Sequence, residues 1–168
     1  DYFADASNPD ELQNLLYAAR LEEIPVFVMG GGSNVLFRDE GFRGLVVRLA
    51  MNTVRVEGTE LIADAGAKWP AVLRVMEEAH LTGLEPFAGL PGTVGGAVVG
   101  NAGCFGLEIK DVIAEALVLN QAMGSICSMD KSSFGFFYRS SGLKKTHDIV
   151  LQATFQLSHR STASISTP

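Results

Sequence analysis

Between Leu90 and Gly106 the chain reads Leu-Pro-Gly-Thr-Val-Gly-Gly-Ala-Val-Val-Gly-Asn-Ala-Gly-Cys-Phe-Gly, which places six of its 18 glycines in seventeen residues without a single charge. Glycine loses more backbone entropy on folding than any other residue, so such density needs a reason: positive φ angles, or a backbone that must lie against something with no Cβ between. The sequence therefore predicts a long loop shaped around a ligand. A smaller cluster, Gly30-Gly31-Gly32-Ser33-Asn34, follows the apolar run Pro25-Val26-Phe27-Val28-Met29.

The ligand these loops could hold is bounded by charge. The net charge is −6, and the 13 Lys and Arg are scattered along the chain, with no basic stripe for nucleic acid. An anionic ligand must then be held by local neutral donors. Cys104 and Cys127 lie far apart without metal-ligand spacing, and His80, His147 and His159 fall in no ligand pattern, so neither a disulfide framework nor a metal site is expected. A reducing cytoplasm fits that cysteine usage. The most apolar region, Leu84 to Ile109, is interrupted by Pro86, Pro91 and its glycines, which excludes a membrane-spanning helix there, and no signal peptide is recognisable. With 47% hydrophobic and 19% charged residues the composition is globular.

Asn8-Pro9-Asp10-Glu11 carries a helix cap, and Leu12, Leu15, Leu16 and Ala19 follow at helical spacing, predicting a helix over about 9–21. Residues 25–29 read as a strand, and Val35-Leu36-Phe37 as a second one joined to it by the first glycine cluster. Gly44 to Leu49, Thr53 to Val56 and Leu61 to Ala65 look like a meander of short strands. Pro70 opens a second helix with Val72, Leu73, Met76 and Ala79 inward and Gly83 as a stop. Val112 to Asn120 and Ser125 to Ser128 suggest a hairpin, and Ile149 to Leu157 a final strand. This order is α+β, with two units expected at 1–66 and 67–158 and a polar tail at 159–168.

The first cluster can turn successive N–H groups into a concavity for a phosphate or pyrophosphate, with Ser33 and Asn34 adding side-chain donors; a plain flexible turn is the alternative. It is not a Rossmann fingerprint. After Gly30 and Gly32 the third glycine position is Val35, and no amphipathic helix follows to supply a dipole. In the second cluster Pro91-Gly92 sets a turn and Gly95-Gly96 permits close approach. Asn101, alone among apolar residues, either caps a turn or bonds the polar edge of a bound ring, and the length of the loop favours the second.

Four motifs in order carry a resemblance. Gly31 to Phe37, Gly41-Phe42-Arg43-Gly44, Leu90 to Gly96 with Asn101-Ala102-Gly103, and Phe136-Phe137-Tyr138-Arg139-Ser140-Ser141 resemble the UDP-N-acetylenolpyruvoylglucosamine reductases. The resemblance implies a two-subdomain FAD-binding fold of the vanillyl-alcohol-oxidase type, with the flavin between two α+β units. It also implies a reaction of peptidoglycan synthesis, in which NADPH reduces FAD and hydride passes to the enolpyruvyl group of a UDP-sugar, giving UDP-N-acetylmuramate. Carried over by position, Gly30, Gly31, Gly32, Ser33 and Asn34, together with Pro91, Gly92, Thr93, Gly95 and Gly96, would hold the cofactor, and Asn101 and Gly103 would line the same site. Arg139 would be catalytic, its permanent planar charge stabilising the carboxylate as negative charge develops, and Tyr138 would touch substrate.

Three departures follow. Phe137 stands where that family has glycine, which predicts a less free backbone. Val98-Val99-Gly100 offers no polar side chain to a flavin. The substrate domain, with its proton-donating serine and assisting glutamate, would begin beyond residue 168, and the family's N-terminal strand would precede Asp1. The chain is therefore expected to be part of something longer and not to complete the reaction alone. Three rival readings remain, of which the first two are another flavin oxidase with FAD anchored covalently, for which Cys104 is the candidate, and a nucleotide-binding module without chemistry. A purely structural domain is the third.

Overall fold

The chain begins with a strand that its patterning does not disclose. In a computed structural model, which describes residues 1–160, Tyr2–Ala6 forms β1. The helix expected next runs Pro9–Leu21 (α1), with Asn8 Oδ1 accepting the Glu11 N–H at 2.9 Å and Leu12 and Ala19 buried. Val26–Met29 (β2) and Leu45–Leu49 (β3) complete a three-stranded sheet in which β3 lies between β1 and β2, parallel to both.

That geometry corrects one expectation. Val35-Leu36-Phe37 is not a strand: it lies in the crossover from β2 to β3, with Leu36 95% exposed. Parallel neighbours cannot be joined by a tight turn, so the chain must travel from the end of β2 back to the start of β3. Phe37 and Phe42 fold onto Phe27, with centroids 5.7 and 6.1 Å away, and so tie the crossover to the sheet.

The expected meander is likewise divided. Val54–Glu57 (β4) and Glu60–Asp64 (β5) form a hairpin around Gly58, but they pair in a second sheet. The two sheets thus part between Leu49 and Val54, whereas a division at residue 66 would cut the second one. Trp69–Glu78 (α2) then packs Trp69, Val72 and Met76 inward. Leu81–Thr82 (β6) and a 3-10 turn at Glu85–Phe87 lead to the second glycine cluster.

Within that cluster the long loop gives way to a helix, Val94–Gly100 (α3). Three glycines in seven residues carry poor helix propensity. Packing overrides it: Val94 and Val98 are fully buried, and Gly95 lies so near Ala65 that a Cβ on it would come within 2.8 Å of the Ala65 methyl. The amides of Val94 and Gly95 bond to the Ala67 and Ala65 carbonyls at 3.0 and 2.8 Å, which docks the start of α3 onto the segment after β5.

A small hairpin, Gly103–Cys104 (β7) with Leu107–Glu108 (β8), and the turn Ile109–Val112 (α4) follow. Ile113–Leu119 (β9), Ile126–Asp130 (β10), the short helix Leu143–Thr146 (α5) and Ile149–Gln156 (β11) complete the chain's main elements. The second sheet is antiparallel in the order β10-β9-β11-β5-β4. Ser158–His159 (β12) pairs with β6, so the polar tail begins in a ladder, and its residues 161–168 lie outside the described ones. Among the described residues no helix is long and apolar enough to cross a membrane.

Candidate functional site

The two glycine clusters meet face to face. The first leaves the end of β2 with Gly32 at φ +72°, and the second approaches α3 with Gly92 at φ +96°. A Cβ on Gly31 would stand 3.3 Å from the Gly92 Cα, and one on Gly92 would stand 2.6 Å from Ser33 Oγ. Only glycine permits this approach, and it joins the parallel sheet to the antiparallel one. Between the loops lies a cleft of about 540 Å³.

The floor of the cleft is neutral and rich in donors. The amides of Gly31, Gly32, Ser33 and Asn34 have no hydrogen-bond acceptor among the described residues. Thr93 is 6% exposed, its Oγ1 has no partner there either, and it faces Gly30, where a Cβ would overlap it. A buried hydroxyl left without a partner costs roughly 1–3 kcal/mol, so a ligand atom arriving there recovers what folding leaves unmet. Among the described residues the charged side chains that line the cleft are Arg139 and Lys144.

Arg139 is delivered by a tight turn. Phe137 and Ser140 exchange backbone hydrogen bonds of 3.1 Å each, leaving Tyr138 and Arg139 at the apex, with Arg139 in the left-handed region at φ +54°. Lys144, in α5, donates Nζ–H to the Arg139 carbonyl at 3.0 Å, and the guanidinium lies 5.9 Å from the Tyr138 ring centroid. The positive φ falls on Arg139 and not on Phe137, so the phenylalanine in place of glycine introduces no left-handed strain, contrary to the expectation of a constrained backbone.

Most of the expected residues converge. Gly30 to Asn34, Pro91, Gly92, Thr93, Gly96 and Arg139 all line the cleft, and Val35, Leu90, Ala97, Gly100, Ala102 and Lys144 join them unannounced. Helical spacing would have found Ala97 and Gly100 had α3 been recognised, since they lie on one face with Gly96. Lys144 carries no signal beyond its place five residues after Arg139.

Four expected residues stand elsewhere. Gly95 serves the packing of α3 on Ala65. Gly103 is turned toward Glu108 in the β7–β8 hairpin, where a Cβ would come 3.1 Å from Glu108 Cγ. Tyr138 is 79% exposed at the turn's apex, outside the cleft lining. Asn101 is fully buried and its amide is spent: Oδ1 accepts the Lys110 N–H, and Nδ2 donates to Glu108 Oε2 and to the Phe137 carbonyl, each at 3.0 Å. It ends α3 in the left-handed conformation, so the turn-capping reading applies rather than the ring-edge one. Cys104 is half-buried and not among the lining residues, which removes the basis for a covalent flavin link there.

Glu108 supplies the one perturbed carboxylate near this region. The Lys110 ammonium, 2.6 Å away, and the Asn101 amide hold its carboxyl below the ordinary glutamate range, with the more distant Arg139 charge acting in the same direction.

A neutral amide cradle, an orphaned hydroxyl and one cationic end suit a dinucleotide better than a lone anion. The family described as FAD binding domain matches residues 1–130. The chain belongs to that family. FAD is thus the cofactor class, and this FAD-binding domain is similar to a UDP-N-acetylenolpyruvoylglucosamine reductase 2 of Bacillus cereus (strain ATCC 10987 / NRS 248), 42% identical over 158 residues that make 94% of this chain and 52% of that protein. The corresponding reductase of Caldanaerobacter subterraneus subsp. tengcongensis gives the same identity and coverage. The FAD-binding domain thus spans about half the length of the curated relatives it matches. Among solved structures, the UDP-N-acetylenolpyruvylglucosamine reductase (MurB) from Thermus caldophilus superposes with TM-score 0.78 at 34% identity, covering 94% of this chain and 55% of that one. The VAO-type flavoprotein MtVAO713 from Myceliophthora thermophila superposes at 0.70 with 19% identity, over 92% of this chain and 31% of that one, which shows a shared α+β fold distinct from the Rossmann type.

Proposed function

We propose that this chain is the FAD-binding part of an NADPH-dependent reductase that converts the enolpyruvyl group of a UDP-N-acetylglucosamine enol ether to UDP-N-acetylmuramate, in the cytoplasmic stage of peptidoglycan synthesis. One observation carries the reading: a glycine cradle with unspent amides and an unpartnered Thr93 hydroxyl ends at a single arginine presented from a strained turn. The Bacillus and Caldanaerobacter reductases and the Thermus structure, matched over nearly the whole chain, support it. Free Cys104 and Cys127 are in keeping with a reducing compartment.

When bound, FAD supplies the hydride chemistry that links NADPH to the enolpyruvyl double bond. The chain's own residues do the rest. The amides of Gly31 to Asn34 and the Ser33 hydroxyl would donate to pyrophosphate oxygens, successive neutral N–H dipoles in one concavity being able to hold an anion without a formal positive charge. Thr93 Oγ1, which has no partner among the described residues, would take up a polar atom of the same ligand. Ala97 and Ala102 add apolar surface to the lining.

Arg139 acts on the substrate. Addition of hydride to an enol ether conjugated with a carboxylate drives negative charge onto the carboxylate oxygens, and a planar guanidinium can meet both of them as that charge grows. Among the described residues no carboxylic acid lines the cleft; the protic groups that do are the Ser33 and Thr93 hydroxyls and the Lys144 ammonium.

A second reading is a module that holds FAD without turnover, favoured by a cleft whose lining carries no carboxyl group among the described residues. Rapid mixing of the FAD-loaded protein with NADPH separates the two. Bleaching of the flavin absorbance supports the reductase, persistent colour supports the module, and failure to take up FAD at all removes both.

A further inference from the structure

Asn101 has a more specific task than ending a helix. Its side chain joins three segments that are remote in sequence: the end of α3, the β8–α4 corner through Glu108 and the Lys110 amide, and the Arg139 turn through the Phe137 carbonyl. Both amide hydrogens are used and the residue is fully buried, so it offers no donor to a ligand. Among these bonds, the one to Phe137 is the one that matters for the cleft. The Phe137 carbonyl belongs to the first residue of the turn, and its position sets where Tyr138 and Arg139 project.

The turn needs holding. A non-glycine residue in the left-handed region costs on the order of 1 kcal/mol, and Arg139 at φ +54° is exposed, with no burial of its own to offset that cost. Three anchors surround it. Asn101 fixes the entry through Phe137, Ser141 Oγ–H donates to the Val99 carbonyl at 2.8 Å and fixes the exit, and Lys144 holds the Arg139 carbonyl itself. Two of the three run to α3, the helix whose other face lines the cleft. The Asn101 and Ser141 anchors come from buried side chains and are the less exchangeable for solvent hydrogen bonds, whereas the Lys144 one is exposed.

We propose that Asn101 is a positioning residue: through the Phe137 carbonyl it couples the cleft helix α3 to the Tyr138–Arg139 turn and so sets where the guanidinium stands over the reacting end of the cleft. This rests on the reading of the cleft as a flavin and substrate site. It assigns Asn101 to the orientation of Arg139 and away from contact with the cofactor.

The test uses the full-length protein that carries this segment, with Asn101→Gly, which keeps the left-handed backbone while removing the side chain. Trypsin cleavage after Arg139 under native conditions reports the freedom of the turn; it is expected to accelerate about tenfold, as for an opening equilibrium relieved of one sheltered hydrogen bond. Affinity for FAD, followed by quenching of flavin fluorescence, is expected to change by less than about threefold, a shift smaller than the loss of one ligand hydrogen bond. In turnover with NADPH, kcat falls while the KM for NADPH holds, and Asn101→Gly has no further effect in an Arg139→Ala background. Should Asn101→Gly fail to fold, Asn101→Asp keeps the acceptor for Lys110 and sets a carboxylate against the Phe137 carbonyl and Glu108, with the same expected direction. Unchanged cleavage after Arg139 overturns the proposal, and so does a tenfold or greater loss of FAD affinity with the turn undisturbed. A wild-type protein that takes up no FAD instead overturns the functional reading, and proteolysis still decides the role of Asn101 by the same criterion.

Discussion

Gly30 packs against Thr93 so closely that a Cβ on the glycine would overlap the threonine hydroxyl oxygen, and that oxygen has no hydrogen-bond partner among the described residues. The contact joins the two sheets at the base of the cleft. It makes glycine at 30 a packing requirement independent of any φ angle.

Gly30→Ala should therefore destabilise the chain by about 1–3 kcal/mol, the usual cost of forcing one extra methyl into a packed contact. Thr93→Ala removes the overlapping atom. The double variant should regain most of the loss, and equal urea midpoints for Gly30→Ala with and without Thr93→Ala would contradict the contact.

Thr93→Val separates the hydroxyl's structural cost from its use. Because the buried Oγ1 makes no bond among the described residues, an isosteric methyl should leave unfolding stability unchanged or raise it by roughly 1 kcal/mol. Affinity for FAD should fall by about five- to tenfold, the worth of one sheltered hydrogen bond. Calorimetric titration with FAD beside a thermal melt reads both, and a loss of stability without loss of affinity would show that the hydroxyl serves the fold.

Arg139→Lys keeps the charge but not the planar fork. Turnover of the enol-ether substrate by the full-length protein should drop by about 100-fold or more, as when a single transition-state donor is removed, while the flavin absorption spectrum stays as in wild type. A lysine variant with wild-type kcat would assign Arg139 to the surface.

Glu108 gives a pH dependence with a definite sign. Its folded-state pKa lies below the ordinary value, the Lys110 ammonium being the main cause, so its contribution to stability is complete above the unfolded glutamate pKa of about 4.3 and is lost as pH falls through the lower folded value. Comparing urea midpoints of wild type and Glu108→Gln, the advantage of wild type should be flat from neutral pH down to about pH 5 and shrink below about pH 4. An advantage that grows toward acid would show that the carboxylate is not stabilised in its charged form.

Trp69 offers a stability probe outside the cleft lining. Its ring lies 4.7 Å from Phe87 and 6.0 Å from Phe155, fully buried, and its Nε1–H has no partner among the described residues. Trp69→Phe should cost less than about 1.5 kcal/mol, since an orphan donor leaves along with some ring area, whereas Trp69→Ala should cost about 3–5 kcal/mol. Thermal melts of the two variants check the ratio.

Much of the candidate site is legible in the residues alone. Gly30 to Asn34 and Pro91 to Thr93 stand out because dense, uncharged glycine is entropically costly unless a ligand or a neighbouring backbone must come close, and both segments do line the cleft. The residues that mislead do so for identifiable reasons. Asn101 resembles a ligand contact because it stands alone among apolar neighbours in sequence, yet its partners, Glu108, Lys110 and the Phe137 carbonyl, are brought to it by the hairpin after α3 and by a turn 36 residues away. Gly95 suggests a close approach to ligand and is a close approach to Ala65. β1 escapes notice because an edge strand with Tyr2 and Phe3 exposed shows no inward alternation.

Local chemistry in the chain settles the capped helix at Pro9–Leu21, the neutrality of the cradle and the places where the backbone must be glycine, because caps, charge and φ are properties of a few adjacent residues. Pairing across distance settles the rest. That Val54–Glu57 joins the second sheet and not the first, that a glycine-rich run becomes a helix, and that the turn carrying Arg139 is bonded at its Phe137 carbonyl by the buried Asn101 all depend on which surfaces meet, and those contacts exist only once the two sheets have closed on each other.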